Sequence, residues 1–94
     1  MTHTGSTSPI HSRKVCVVYE AASGRMRHRH SVVTFVGGRE PSEAQIEADA
    51  LDVVRSLPNP PSGGLHVLHV QHDAMQPGKR YRVDPHSKQL VVHK

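Results

Sequence analysis

The most constraining feature of this sequence is a single change of hydrophobic period. Residues 37–58, GGREPSEAQIEADALDVVRSLP, place apolar side chains at helical spacing, whereas the runs on either side are rich in β-branched residues. A chain with one amphipathic helix among strands must bury the apolar stripe of that helix against a sheet. The stripe comprises Ile46, Ala50, Val53, Val54 and Leu57.

Both ends of this helix carry local sequence signals. Ser42, followed three residues later by Gln45, makes a capping-box pair, and Pro41 disfavours an earlier helical start. Pro58 stops the helix, and PNPPSGG at 58–64 can only be a loop. We therefore predict a helix that starts after Ser42 and stops before Pro58.

Strand-like runs account for most of the remaining chain. KVCVVYE and HSVVTFV precede the helix and form a hairpin, and LHVLHVQ follows the helix. RYRVD and QLVVHK flank the turn residues PHSK and predict a second hairpin. The fold class is therefore α+β, a small two-layer domain in β-β-α-β-β order with room for one more short strand. Its antiparallel sheet has the amphipathic helix packed on one face.

The length of the chain limits it to one domain. Residues 1–12 are polar and are expected to form a flexible tail, which leaves residues 13–94 as a single α+β domain. A chain of 94 residues with only two Tyr, one Phe and no Trp builds a thin core. We expect it to bury an apolar face against a copy of itself as a homodimer.

The cysteine content and the N-terminal sequence indicate the cellular compartment of the protein. Cys16 is the single cysteine, so it has no partner for an intramolecular disulfide and cannot build a cysteine-based zinc finger. The N-terminal residues have neither the basic nor the apolar region of an export signal, and no run of eighteen apolar residues occurs. We expect a cytoplasmic protein that does not contact the membrane.

The stretch GRMRHRHS, residues 24–31, is the first candidate site. On a regular strand, side chains alternate between faces, so like residues recur about every 6.6–6.8 Å on one face, close to the phosphate spacing of a nucleic acid strand. An arginine ladder of this kind is suited to phosphate contacts, although a solvated edge strand carries positive charge for protection alone. The pattern predicts one face with Arg25, Arg27 and Arg29, and the other with Met26, His28 and His30.

A second basic segment, PGKRYRVD, adds Lys79, Arg80 and Arg82, with Tyr81 on the opposite face from the arginines. If the two hairpins are neighbours, the two basic segments form one patch. The formal net charge of +4 favours an acidic partner. Because Tyr19 and Tyr81 are the only plausible stacking rings, we expect binding through phosphates, with little dependence on base sequence.

The nine histidines raise the question of a metal site. Same-face spacing makes four of them weak candidates, but no Cys pair, HExxH motif or carboxylate cluster accompanies them. We expect these imidazoles to be surface groups, and we predict no metal site and no cofactor. The weak candidates are His28, His30, His66 and His72.

Enzymatic chemistry finds little support. Cys16 lies among valines in a predicted strand, where a thiol is usually a small buried apolar group, and no histidine can be paired with a nucleophile. The expected function is a non-enzymatic binding module that uses its basic strands against an acidic partner, above all the nucleic acid backbone. Two alternatives remain: a protein-protein adaptor or assembly subunit acting as a homo-oligomer, and a histidine-rich metal-binding or hydrolytic protein.

Overall fold

The structure of the chain is a computed structural model that describes residues 9–60 and 63–92. The predicted α+β class and β-β-α-β-β order are confirmed, with the additional short strand present. The predicted tail comprises residues 1–12, of which residues 1–8 lie outside the described residues. Its last three residues, Ile10–Ser12, belong to the first strand. The elements are β1 (Ile10–Glu20), β2 (Met26–Phe35), α1 (Glu43–Arg55), β3 (Leu65–Val70), β4 (Tyr81–Asp84) and β5 (Gln89–Val92).

β1 is the central strand of a three-stranded antiparallel sheet with the order β2-β1-β3. β2 pairs with β1 over nearly its whole length, from Ile10 opposite Phe35 to Tyr19 opposite Met26. β3 pairs only with the second half of β1, from Val15 to Glu20. The first half of β1 and the second half of β2 therefore extend beyond β3 as a two-stranded ribbon.

The helix packs on one face of this sheet, which we call the helix face. Cys16 and Val18 of β1 are buried against Ile46, Ala50 and Val54 of α1. The other two members of the predicted apolar stripe, Val53 and Leu57, remain 41% exposed each, and Leu57 lies beyond Arg55, the last residue of the helix.

The predicted helix start is confirmed. Ser42 Oγ accepts a hydrogen bond from the Gln45 backbone N–H at 3.1 Å, which satisfies one of the free donors of the first turn. The Gln45 side chain bonds Asp49 instead of returning to Ser42, so only one of the two capping-box bonds is present. Among the described residues, no helix has the length and hydropathy that a bilayer span requires.

The opposite face of the sheet is covered by the β4–β5 hairpin, and we call it the hairpin face. Val83 of β4 is fully buried against Val17 and Tyr19 of β1, and Leu68 and Leu90 pack around them. The run Val15–Tyr19 of β1 is thus buried on both faces, by the helix on one side and by the hairpin on the other. This arrangement brings β4 close to the first residues of β2.

Candidate functional site

The two predicted basic segments meet at one groove on the surface of the molecule. Side chains from the start of β2 and from the segment that enters β4 line two adjoining depressions, which share Met26 and Tyr81. We call the two depressions together the basic groove. The cations that line it are Arg25, Arg29, Lys79, Arg80 and Arg82.

A backbone contact at Gly24 brings the two segments together. The Val83 N–H donates a hydrogen bond to the Gly24 carbonyl oxygen at 2.9 Å. Gly24 has a φ of +79°, and a Cβ at this position would lie 1.8 Å from the Val83 carbonyl oxygen. Only glycine allows this approach. Side chains more than fifty residues apart in sequence therefore share one surface.

The floor of the basic groove is apolar and fixed in place. Tyr81 is half-buried, and its hydroxyl accepts a hydrogen bond from the Gln76 backbone N–H at 2.8 Å. Met26 is half-buried in the cluster around Val17 and Tyr19. The cations therefore stand at the rim, above a floor that contributes one aromatic ring.

Arg27 does not belong to the basic groove, and the predicted alternation along GRMRHRHS is wrong at this point. Val18 pairs with His28, but the next residue of β1, Tyr19, pairs with Met26, so Arg27 is the extra residue of a β-bulge. Met26 consequently lies on the hairpin face, not with His28 on the helix face. The Arg27 Nη1 atom lies 3.3 Å from Glu20 Oε2, so its charge is paired.

The charges of the basic groove are not balanced by nearby carboxylates. Within residues 9–60 and 63–92, none of its five cations has a carboxylate oxygen within 4.0 Å. Asp84 lies on the same strand as Arg82. Its pKa is lowered mainly by hydrogen bonds from the His86 and Ser87 backbone N–H groups, and Arg82 contributes least. The groove therefore presents a net positive surface to solvent.

Only two of the four weak metal candidates lie together, and the other two lie elsewhere. His28 and His30 lie side by side on the helix face, opposite Val18 and Cys16. His66 lies on the hairpin face, where its ring meets Tyr19 edge-on at a centroid distance of 5.8 Å. His72 lies beyond the end of β3, so the predicted shared strand face with His66 is wrong. In the part of the chain that the structure describes, no group of three or more His, Cys, Asp or Glu side chains is placed to hold a metal ion.

A further histidine, His69, makes the closest polar contact between sheet and helix. Its Nε2 atom lies 2.7 Å from Glu47 Oε2, and its Nδ1 atom lies 3.7 Å from Glu43 Oε2. His69 is not among the four histidines predicted above as weak candidates. The available signals were the alternation in LHVLHV, which puts His69 on the face of Leu65 and Val67, and the i, i+4 spacing of the two glutamates.

Cys16 lies in the middle of the helix face, between His30 of β2 and His69 of β3. It is fully buried. Burial raises the pKa of the Cys16 thiol, and the negative charge of Glu47 raises it further. A protonated, inaccessible thiol is a poor nucleophile, so the arrangement favours a packing role for Cys16.

No protein-family model, no curated protein and no solved structure matches this chain at significant similarity.

Proposed function

We propose that the chain is a small, non-enzymatic binding module whose basic groove binds the phosphate backbone of a nucleic acid. The observation that carries this proposal is the convergence of five cations from two separate segments. None of them is paired with a carboxylate among the described residues, whereas neighbouring Arg27 is paired with Glu20. Arginine side chains form bidentate hydrogen bonds to phosphate, and each neutralised phosphate releases condensed counterions.

The composition of the groove supports binding with little dependence on base sequence. Reading of single-stranded bases relies on several exposed rings, whereas this groove offers only Tyr81, whose hydroxyl is already bonded to Gln76. Phosphate contacts fix the position of a protein on nucleic acid but carry no sequence information directly. We expect single-stranded and duplex oligonucleotides of different sequence to bind with affinities within about tenfold of each other.

The proposal is tested by fluorescence anisotropy with labelled oligonucleotides at about 50 mM salt, where phosphate contacts are strong. The triple variant Arg25→Ala/Arg80→Ala/Arg82→Ala should bind at least about tenfold more weakly than the wild type. The matched control Arg13→Ala/Arg39→Ala/Arg55→Ala removes three exposed arginines that do not line the groove, and it should lose much less affinity. Absence of binding by the wild type, or equal losses in both variants, would refute the proposal.

A second candidate function is a protein-protein adaptor or assembly subunit acting as a homo-oligomer. The far end of the β1–β2 ribbon favours it, because four large apolar side chains there are between 42% and 58% exposed. Apolar patches of this kind often mark interaction sites. We propose that they bury against a second copy of the chain. The four residues are Ile10, Val33, Phe35 and Val36.

We also propose a cytoplasmic location for the protein. Its single cysteine, Cys16, is buried as a free thiol, and such thiols are typical of proteins kept in a reducing compartment. Nucleic acids are available as partners in the same compartment.

A further inference from the structure

His28 and His30 form a close imidazole pair that the proposed nucleic acid site does not use. The His28 Nε2 atom lies 3.2 Å from the His30 Nδ1 atom. The two rings have a centroid distance of 5.4 Å and are tilted by 56° to each other. Both residues are half-buried on the helix face, where the two-residue spacing along β2 directs their side chains the same way.

The separation of the two nitrogens suits a shared metal ion. Zinc binds imidazole nitrogen at about 2.0–2.1 Å in tetrahedral geometry, which places two such ligands about 3.3 Å apart. A hydrogen bond between the rings uses one N–H and one lone pair, whereas a metal ion uses a lone pair from each ring. The same backbone geometry is therefore compatible with both states, which differ in the tautomer of one ring.

We propose that His28 and His30 chelate one divalent transition-metal cation of the zinc and copper class, with water completing its coordination. Imidazole is a preferred ligand for these metals, whereas Mg²⁺ and Ca²⁺ prefer oxygen ligands. This site is separate from the basic groove and does not depend on nucleic acid binding.

The surroundings of the pair favour a bound cation. The adjacent positive charge of Arg27 is paired with Glu20 at 3.3 Å. Because the pair supplies only two protein ligands, we expect weaker binding than at a structural site with four.

The test is a titration of the full chain with zinc. Binding is measured by calorimetry and by changes in the histidine ring signals of NMR spectra. One equivalent should perturb the His28 and His30 rings first, and the melting temperature should rise by about 10–20 °C when the free zinc concentration reaches about 100 times Kd. The H28Q/H30Q variant should bind zinc at least about tenfold more weakly than the wild type. The H66Q/H72Q variant is the matched control and should keep wild-type affinity, while Mg²⁺ should perturb neither ring.

Equal zinc affinity in the H28Q/H30Q variant and the wild type would overturn the proposal. If that variant does not fold, the wild-type spectra decide, because early perturbation of other histidine rings, with His28 and His30 unchanged, also excludes the site. Loss of nucleic acid binding in the groove variant has no bearing on either result.

Discussion

Arg27 and Arg29 stand two residues apart in β2, yet they lie in different surroundings. The β-bulge opposite Val18 and Tyr19 turns Arg27 toward Glu20, while Arg29 lines the basic groove. The alternation of residues along a strand predicts a face for each side chain only while the register stays regular. A bulge depends on the pairing of two strands, so the sequence of β2 alone does not reveal it.

Cys16 provides a test at the scale of one residue. Because the thiol is fully buried and its pKa is raised, a thiol-specific disulfide reagent should modify the folded protein at least about 100-fold more slowly than the protein in denaturant. The measurement is the absorbance of the released thiolate over time. Rapid modification of the native protein would contradict the packing role of Cys16.

His28 provides a second test at this scale. Its pKa in the folded state is lowered below the ordinary value of 6.5, mainly by burial, so between these two pKa values the unfolded chain binds more protons than the folded chain. The contribution of His28 to stability is therefore full above about pH 6.5 and decreases as the pH falls toward the folded-state pKa. Urea unfolding at about pH 7.5 and pH 5.5 should show a smaller pH dependence for His28→Gln than for the wild type. A dependence that is unchanged in this variant would contradict the assignment, and His86→Gln serves as an exposed control.

At the scale of elements, the sequence predicted α1 and the strands but not the position of the second hairpin. The helix start follows from Ser42, and the hairpin turn follows from PHSK, because capping and turn formation are local. The position of the β4–β5 hairpin on the sheet depends on contacts between residues that are far apart in the sequence. One signal was available, since the unbroken apolar run Val15–Tyr19 is typical of a strand buried on both faces.

The candidate site, too, could be predicted only in part from the sequence. Charge clustering in GRMRHRHS and PGKRYRVD identified the cations, but the sequence left open whether the two segments are neighbours. The contact between Gly24 and Val83 joins them, and it depends on a close backbone approach that no residue pattern encodes.

This contact provides the test at the scale of elements. Gly24→Ala introduces a Cβ against the Val83 carbonyl oxygen and should lower the free energy of unfolding by about 2 kcal/mol or more. Gly37→Ala is the matched control, because Gly37 also has a positive φ, +87°, but among the described residues no atom beyond its chain neighbours lies within 4 Å of the added Cβ. It should cost only about 1 kcal/mol of backbone strain. Equal losses for the two variants in urea unfolding would show that the hairpin does not dock at Gly24.

At the scale of the whole molecule, positive and negative charge lie on different surfaces. The basic groove lies beside the hairpin, whereas the helix carries Glu43, Glu47, Asp49 and Asp52 against Arg55. A polyanion approaching the groove is therefore attracted on one side of the protein and repelled on the other. If the groove binds nucleic acid as proposed, this separation of charge should orient the protein before contact and raise the rate of association at low salt.

The exposed ribbon provides the test of assembly. If Val33 and Phe35 bury against a second copy, the wild type should sediment as a dimer at high micromolar concentration, and Val33→Lys/Phe35→Lys should sediment as a monomer. Because both side chains are about half exposed in the single chain, the free energy of unfolding of the monomer should change by only about 1 kcal/mol. A wild type that is monomeric and fully stable at this concentration would contradict the assembly proposal.

The central claim is that the basic groove holds phosphates, and the salt dependence of binding tests it most directly. Each phosphate contact contributes about 0.7–0.9 to the slope of log affinity against log salt concentration. The variant Arg25→Ala/Arg80→Ala/Arg82→Ala should therefore have a slope smaller than that of the wild type by about 2–3 units. Arg27→Ala should leave the slope within about 0.5 unit of the wild-type value, because Glu20 already pairs this side chain. A triple variant with the wild-type slope, or an equal decrease for Arg27→Ala alone, would contradict the account.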